Sequence, residues 1–186
     1  VASQSGGMCG YIVNALTNHN VGVSKAIGLG NRCNLDFDET VAYLAEDKET
    51  RVIILYLEGL EQPKRLMRVA SEVVKRKPIV AYKGGRDEES NRATLSHTGA
   101  LAGKHKFYEV AFAQAGIIAV DNITELVDIA KALDLQPPTS GDRVGILSAQ
   151  AGPGIIIADK CRKLGLRLAE FSPATRQKLR QLVSLL

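Results

Sequence analysis

The residue best suited to covalent chemistry in this chain is His97, in the run Thr94-Leu95-Ser96-His97-Thr98-Gly99-Ala100-Leu101-Ala102-Gly103. The run has no regular hydrophobic period, and small residues flank the imidazole, so a bulky group can approach it. A long segment without a period inside a compact domain points to function, because core packing does not account for it. A neutral imidazole nitrogen accepts a phosphoryl group well when a carboxylate fixes the other ring nitrogen. Glu58, which closes the apolar run Val52-Ile53-Ile54-Leu55-Tyr56-Leu57, is the candidate for that carboxylate. Two small-residue turns offer cradles for an anion. In Ser3-Gln4-Ser5-Gly6-Gly7, the residues Ser3 and Ser5 bring hydroxyls, while Gly6 and Gly7 bring bare backbone N–H groups at a helix start. The second, Ala151-Gly152-Pro153-Gly154, presents Gly152 and Gly154 in the same kind of place. A contact with a helix start is worth roughly 0.3–1 kcal/mol. One cradle therefore holds phosphate weakly, whereas two facing cradles could hold a doubly charged phosphoryl group.

The remaining reactive side chains lack such company. His19 reads as a turn residue, and His105, between Lys104 and Lys106, is expected at the surface and disfavoured as a cation. Cys9, Cys33 and Cys161 have no metal-ligand spacing and an odd count, so they read as reduced thiols and no metal site is expected. Cys9 lies near a helix start, where a thiolate is favoured, but no base is close to it in sequence.

Composition fits an ordinary globular protein: 186 residues, 45% hydrophobic and 24% charged, with seventeen glycines and no tryptophan. The net charge of +4 is spread along the chain without an interleaved aromatic stripe, which argues against a nucleic-acid partner. No run approaches eighteen apolar residues and no secretory signal is present, so a cytoplasmic protein without a membrane partner is expected.

These features need elements to hold them, and the chain alternates strand and helix. Strands are predicted at Val1-Ala2, Gly22 to Leu29, Val52 to Leu57, Pro78 to Tyr82 and Ile117 to Val120. Helices are predicted near 8–17, 38–47 with Asp38 as cap, 63–75, 107–114, and 123–133 with Asn122 as cap. Continuous apolar strands separated by helices mean a mostly parallel α/β sheet with helices on both faces. Residues 137–142 read as a linker between a first domain, 1–136, and a partial second α/β domain, 143–186. In that second part a strand over 143–148, a helix to Leu164, a strand over 166–169 and a basic helix from Pro173 are expected. A strand of two residues at one end and a single βαβ unit at the other mark the chain as a portion of something larger. In a parallel sheet the loops after the strands gather on one edge, and Ser3–Gly7 and Glu58 both fall there.

Taken with Gly30-Asn31, Tyr56-Leu57-Glu58-Gly59, Lys83-Gly84-Gly85-Arg86 and Ser96-His97-Thr98-Gly99, the two cradles make the chain resemble the NDP-forming acyl-CoA synthetases. That family includes ADP-forming acetyl-CoA synthetase and, more distantly, the α subunit of succinyl-CoA synthetase. The resemblance runs over almost the whole chain in order and spacing, and the Ser-His-Thr-Gly segment is its most specific part. It implies a flavodoxin-like, succinyl-CoA synthetase-like sheet and a phosphohistidine at His97, oriented and stabilised by Glu58. It also implies one phosphate-binding helix start at Ser3, Ser5, Gly6 and Gly7, and another at Gly152 and Gly154. Phosphate, CoA and ADP or ATP with Mg²⁺ would be the small molecules, the last three held mainly outside this chain. The implied partners are a CoA-binding Rossmann domain and an ATP-grasp domain or subunit, in a homo- or hetero-oligomer. The chain alone is not expected to run the full cycle. Two rival readings are a catalytically silent synthetase-like portion of a protein acetyltransferase and a generic flavodoxin-like binding module; phosphohistidine formation separates them from the first.

Overall fold

A computed structural model describes residues 1–86, 105–137 and 139–183; His97, with the rest of 87–104, lies outside the described residues. The chain divides into two compact units, Val1–Pro137 and Pro138–Leu186.

In the first unit the strands are β1 (Ala2–Ser3), β2 (Ile27–Gly28), β3 (Ile53–Leu57), β4 (Ile79–Lys83) and β5 (Ile118–Val120). All pair in parallel in the order β2-β1-β3-β4-β5. This is the doubly wound order in which the chain reverses direction across the sheet beside β1. The helices are α1 (Gly6–Asn18), α2 (Phe37–Glu46), α3 (Pro63–Val73), α4 (His105–Ala115) and α5 (Ile123–Leu135).

The period of two along each strand feeds two cores. Ala2, Ile53, Leu55, Leu57, Ile79 and Ala81 face α2, α3 and α4, meeting Phe37, Leu44, Leu66, Ala70 and Phe112. Val1, Ile54, Tyr56 and Val80 face the other way, onto Ile12 and Leu16 of α1 and Leu126, Val127 and Ala130 of α5. Both faces of the sheet are thus covered, which is why its strands read as unbroken apolar runs.

Two expectations are corrected. The cap of α2 is Asp36, two residues before Asp38. Its carboxylate accepts from Phe37 N at 2.8 Å and from Glu39 N, and the Glu39 carboxylate accepts in turn from Asp36 N at 3.2 Å, completing a capping box. Asp38 instead pairs with Arg65 at 3.0 Å. The second strand is confined to Ile27–Gly28 because it is an edge strand whose only neighbour, β1, offers two residues to pair with.

The second unit carries a parallel pair, β6 (Arg143–Val144) and β7 (Arg167–Leu168), with helices α6 (Ala151–Lys163) and α7 (Pro173–Val183). Here too the strand is shorter than the expected 143–148, since its partner again contributes only two residues. Arg167 grips the carboxylate of Asp142 with both Nε and Nη2 at 2.8 Å, tying the start of β6 to β7.

Candidate functional site

At the carboxyl edge of the first sheet, β1 and β3 are neighbours, with Ser3 opposite Tyr56. Their exits therefore emerge side by side, and the chain turns to opposite faces from them: α1 lies on one side, and α2 and α3 on the other. In doubly wound sheets such a switch point opens a crevice where ligands bind.

The turn after β1 is built from within. Ser3 is fully buried, and its hydroxyl donates to Ser5 O at 2.7 Å. Ser5 is the N-cap of α1, its Oγ accepting from Met8 N at 3.3 Å. Both hydroxyls expected to face an anion are thus engaged in the turn itself, although the Ser5 oxygen, acting there as acceptor, keeps its own proton to give. Gly6 and Gly7, the first two helical residues, are exposed, and their N–H groups precede the first intrahelical bond, Cys9 N to Ser5 O at 2.9 Å. A Cβ on Gly6 would meet nothing within 4 Å among the described residues. The approach to those two donors is open. Removing the cap in Ser5→Ala is expected to cost about 1 kcal/mol, read as a lower thermal midpoint, with the fold kept.

Between this turn and the β3 exit lies Gln4, 2% exposed. Its Oε1 accepts from Glu58 N at 2.9 Å and from Gly59 N at 3.1 Å, and its own N–H donates to Tyr56 O at 2.9 Å. Gln4 therefore continues the β1–β3 ladder one step past its end and fixes the peptide that carries Glu58.

Glu58 is 7% exposed, so the sheet edge holds a buried carboxylate rather than a surface one. The Tyr56 hydroxyl hydrogen-bonds it. Burial first, and the Glu58 charge second, push the Tyr56 phenol above its usual range, so it remains a donor. Tyr56 is held in place by stacking on Tyr82 of the next strand, ring centroids 5.7 Å apart. Gly84 is required beside them: a Cβ there would lie 2.9 Å from the Tyr56 hydroxyl and 3.7 Å from Glu58 Cγ. Its N–H donates to Leu57 O at 2.9 Å, and Gly85, at φ +69°, completes a turn that favours glycine.

That turn receives a buried cation. Lys83, the last residue of β4, is 1% exposed. Its ammonium donates to the carbonyls of Gly84 and Gly85 and lies 4.8 Å from the centre of the Tyr108 ring. Burial lowers its pKa to about 8, the Glu58 charge acting against that shift and Arg86 with it. Unfolded, Lys83 holds its proton up to about pH 10.4. Between the two values the unfolded chain binds more protons, so raising the pH stabilises the fold. The expected gain is about 1–2 kcal/mol from pH 8 to 9.5, and it should be missing from Lys83→Met. Tyr56 acts in the opposite sense only above its ordinary pKa of about 10, and the buried Val1 amine, also shifted down, contributes equally to both proteins, so the difference between wild-type and Lys83→Met midpoints over that window isolates the lysine.

Arg86 closes the edge, its Nη1 2.7 Å from Asp121 and its guanidinium 4.9 Å from the Tyr82 ring. His105, expected at the surface, is only partly exposed. Its side chain is four-fifths buried, with Nε2 3.4 Å from Glu109. It is disfavoured as a cation, because of burial first and Arg86 second. His19 caps the end of α1, in the turn expected of it.

The structure thus brings together Ser3, Ser5, Gly6, Gly7 and Glu58. Gly152 and Gly154 belong to the second unit, where they fall within the first turn of α6 rather than in a loop before it; the N-cap, Gln150, makes no side-chain cap bond. Sequence reasoning assigned no role to Gln4, Tyr56 or Lys83. A lysine ending the apolar run Ile79-Val80-Ala81-Tyr82 was the available signal, since a central parallel strand must bury what it carries.

This edge is the switch point of a doubly wound sheet, with a buried carboxylate and an open helix start. Residues 1–133 match the family described as succinyl-CoA ligase like flavodoxin domain, and the chain belongs to that family. It is 42% identical over 178 residues to acetate–CoA ligase [ADP-forming] II subunit alpha of Pyrococcus furiosus, covering 96% of this chain and 39% of that one. It is 37% identical to acetate–CoA ligase [ADP-forming] of Methanocaldococcus jannaschii, covering 98% of this chain and 26% of that one. Among solved structures, the dinucleotide forming acetyl-coenzyme A synthetase 1 of Ca. Korarchaeum cryptofilum, in complex with phosphate and ADP, superposes with a TM-score of 0.90 at 33% identity. The match covers 97% of this chain and 39% of that one. The chain therefore spans roughly a quarter to two-fifths of the length of these relatives. Among the described residues, no helix is long and apolar enough to cross a membrane.

Proposed function

We propose that this chain is the phosphoryl-carrying portion of an NDP-forming acyl-CoA synthetase, an acid–thiol ligase working in the cytoplasm, with His97 as the carrier. Phosphate displaces CoA from acyl-CoA to give an acyl phosphate. An imidazole nitrogen of His97 then attacks phosphorus, the P–O bond to the acyl group breaks, and the carboxylate leaves. The phosphoryl group passes on to ADP, restoring the neutral ring. Such transfers need positioning and charge stabilisation more than further covalent help.

The observation that carries this reading is Glu58, a buried carboxylate fixed by Gln4 and Tyr56 beside the open start of α1. A carboxylate that holds one ring nitrogen leaves the other free to attack, and the Gly6 and Gly7 N–H groups suit the phosphoryl oxygens. Gly152 and Gly154, in the first turn of α6 in the second unit, would offer a further phosphate-binding helix start. The ligand names of the Korarchaeum structure and the ligase names of the other relatives support phosphate and ADP as substrates, with CoA and a small carboxylic acid as the other pair. CoA and the Mg²⁺ nucleotide would be bound by a Rossmann domain and an ATP-grasp domain outside this chain, in a homo- or hetero-oligomer.

The test is to mix the chain with an ATP-grasp partner, Mg²⁺ and γ-labelled ATP. A phosphoryl adduct stable to alkali and labile to acid is expected, mapping to His97. A wild-type chain that takes no such label from a partner competent with a known relative would overturn the assignment and favour a silent copy.

A further inference from the structure

Resting on the phosphoryl relay proposed above for the identity of the ligand, we propose that Gln4 is a phosphate-binding residue whose Nε2 donates to an oxygen of the phosphoryl group held at the start of α1. Three observations lead there. The first is orientation. Both partners of Oε1 are backbone N–H groups, Glu58 at 2.9 Å and Gly59 at 3.1 Å, so the oxygen must face them and the amide cannot be turned the other way. Nε2, on the same carbon, is then fixed as a donor directed away from those two N–H groups.

The second is its state. Gln4 is 98% buried, and Nε2 has no hydrogen-bond partner among the described residues. Buried amide donors without acceptors are rare in native proteins and costly, so a residue kept this way at a ligand crevice points to an acceptor that comes and goes. The third is position. Gln4 directly precedes Ser5, the N-cap of α1, and the exposed Gly6 and Gly7 that follow bring two backbone donors close to it along the chain. A buried side-chain donor beside two backbone donors makes a three-point site for a tetrahedral oxyanion, and that arrangement is worth more than a helix start alone. The clamp on Glu58 and the donor to phosphate are two ends of one rigid amide. A phosphoryl group bound there is held in register with the carboxylate that serves His97.

Titrating inorganic phosphate into the ¹⁵N-labelled chain tests this. The side-chain amide pair of Gln4, assigned by its loss in Gln4→Met, is expected to move and to saturate together with the backbone amides of Gly6 and Gly7. In Gln4→Glu the acceptor facing Glu58 and Gly59 remains while the donor is lost and a second carboxylate is set near Glu58, so the thermal midpoint falls and phosphate binds at least about tenfold more weakly. Gln4→Met, lacking both, should lose thermal stability as well as phosphate. The proposal is overturned by a Gln4 amide pair that stays fixed at phosphate saturation, by Gln4→Glu binding phosphate like wild type, or by a wild-type chain that binds no phosphate. The relay is tested separately: a chain that binds phosphate through Gln4 yet never labels His97 would sink the relay alone.

Discussion

His97→Ala is expected to abolish the acid-labile, alkali-stable phosphoryl adduct altogether and to lower turnover of the assembled synthetase by at least about 10³-fold. The reason is chemical. A phosphoramidate on imidazole resists alkali and yields to acid, whereas phosphate esters of serine or threonine behave the other way and acyl phosphates survive neither. A phospholysine would share that signature, so the adduct is mapped to position 97 by peptide analysis; the Lys83 ammonium is engaged by the carbonyls of Gly84 and Gly85. His19 is at the far end of α1 from Ser5, and the partly buried His105 is paired with Glu109. On the proposed relay, loss of the carrier uncouples the acyl-phosphate step from the nucleotide step, so acyl phosphate or its hydrolysis products are expected to form while ATP synthesis stops. Labelling followed by acid and alkali treatment reads the adduct directly, and label persisting in the variant would remove His97 from the relay.

The second large effect is expected from Glu58→Gln, which keeps the size of the side chain and leaves the Glu58 N to Gln4 bond in place but removes a buried charge. A neutral amide no longer stabilises the cationic ring that forms as phosphorus is attacked. The initial rate of labelling should fall by about 10–100-fold, the usual cost of losing the carboxylate behind a reactive or ligating histidine. The charge also raises the pKa of Lys83 against the effect of burial. In the variant that pKa should drop below about 8, so the fraction of neutral lysine at pH 7.5 rises. NMR titration of the Lys83 ammonium checks that shift without any assay of activity. Labelling at the wild-type rate would show that Glu58 has no part in the chemistry.

Much of this site was legible before any coordinates. Unbroken apolar runs such as Val52 to Leu57 announce strands covered on both faces, and the helices between them force a parallel sheet. A parallel sheet in turn collects its post-strand loops on one edge, so Ser3–Gly7 and Glu58 were bound to share it. Local chemistry placed Asn122 correctly, as its side chain accepts from Glu125 N at 2.8 Å. It misplaced the cap of α2, because both Asp36 and Asp38 suit a cap and only the reciprocal bond with Glu39 separates them. The flavodoxin-like class and the family came from the resemblance that the short motifs carry.

Strand order, register and burial are another matter, for they depend on contacts between residues far apart in sequence. Nothing local says that β1 lies between β2 and β3, yet that adjacency lets Gln4 reach Glu58 across fifty-four positions. It was not legible that the Ser3 and Ser5 hydroxyls would be used inside their own turn, that His105 would be withdrawn from water, or that Lys83 would end under Tyr108. Residue types and their periods are local quantities, and they determined the class of sheet, the edge and the candidate chemistry. Which groups are dry, which are paired and which donor is left waiting are set only when the strands close on one another.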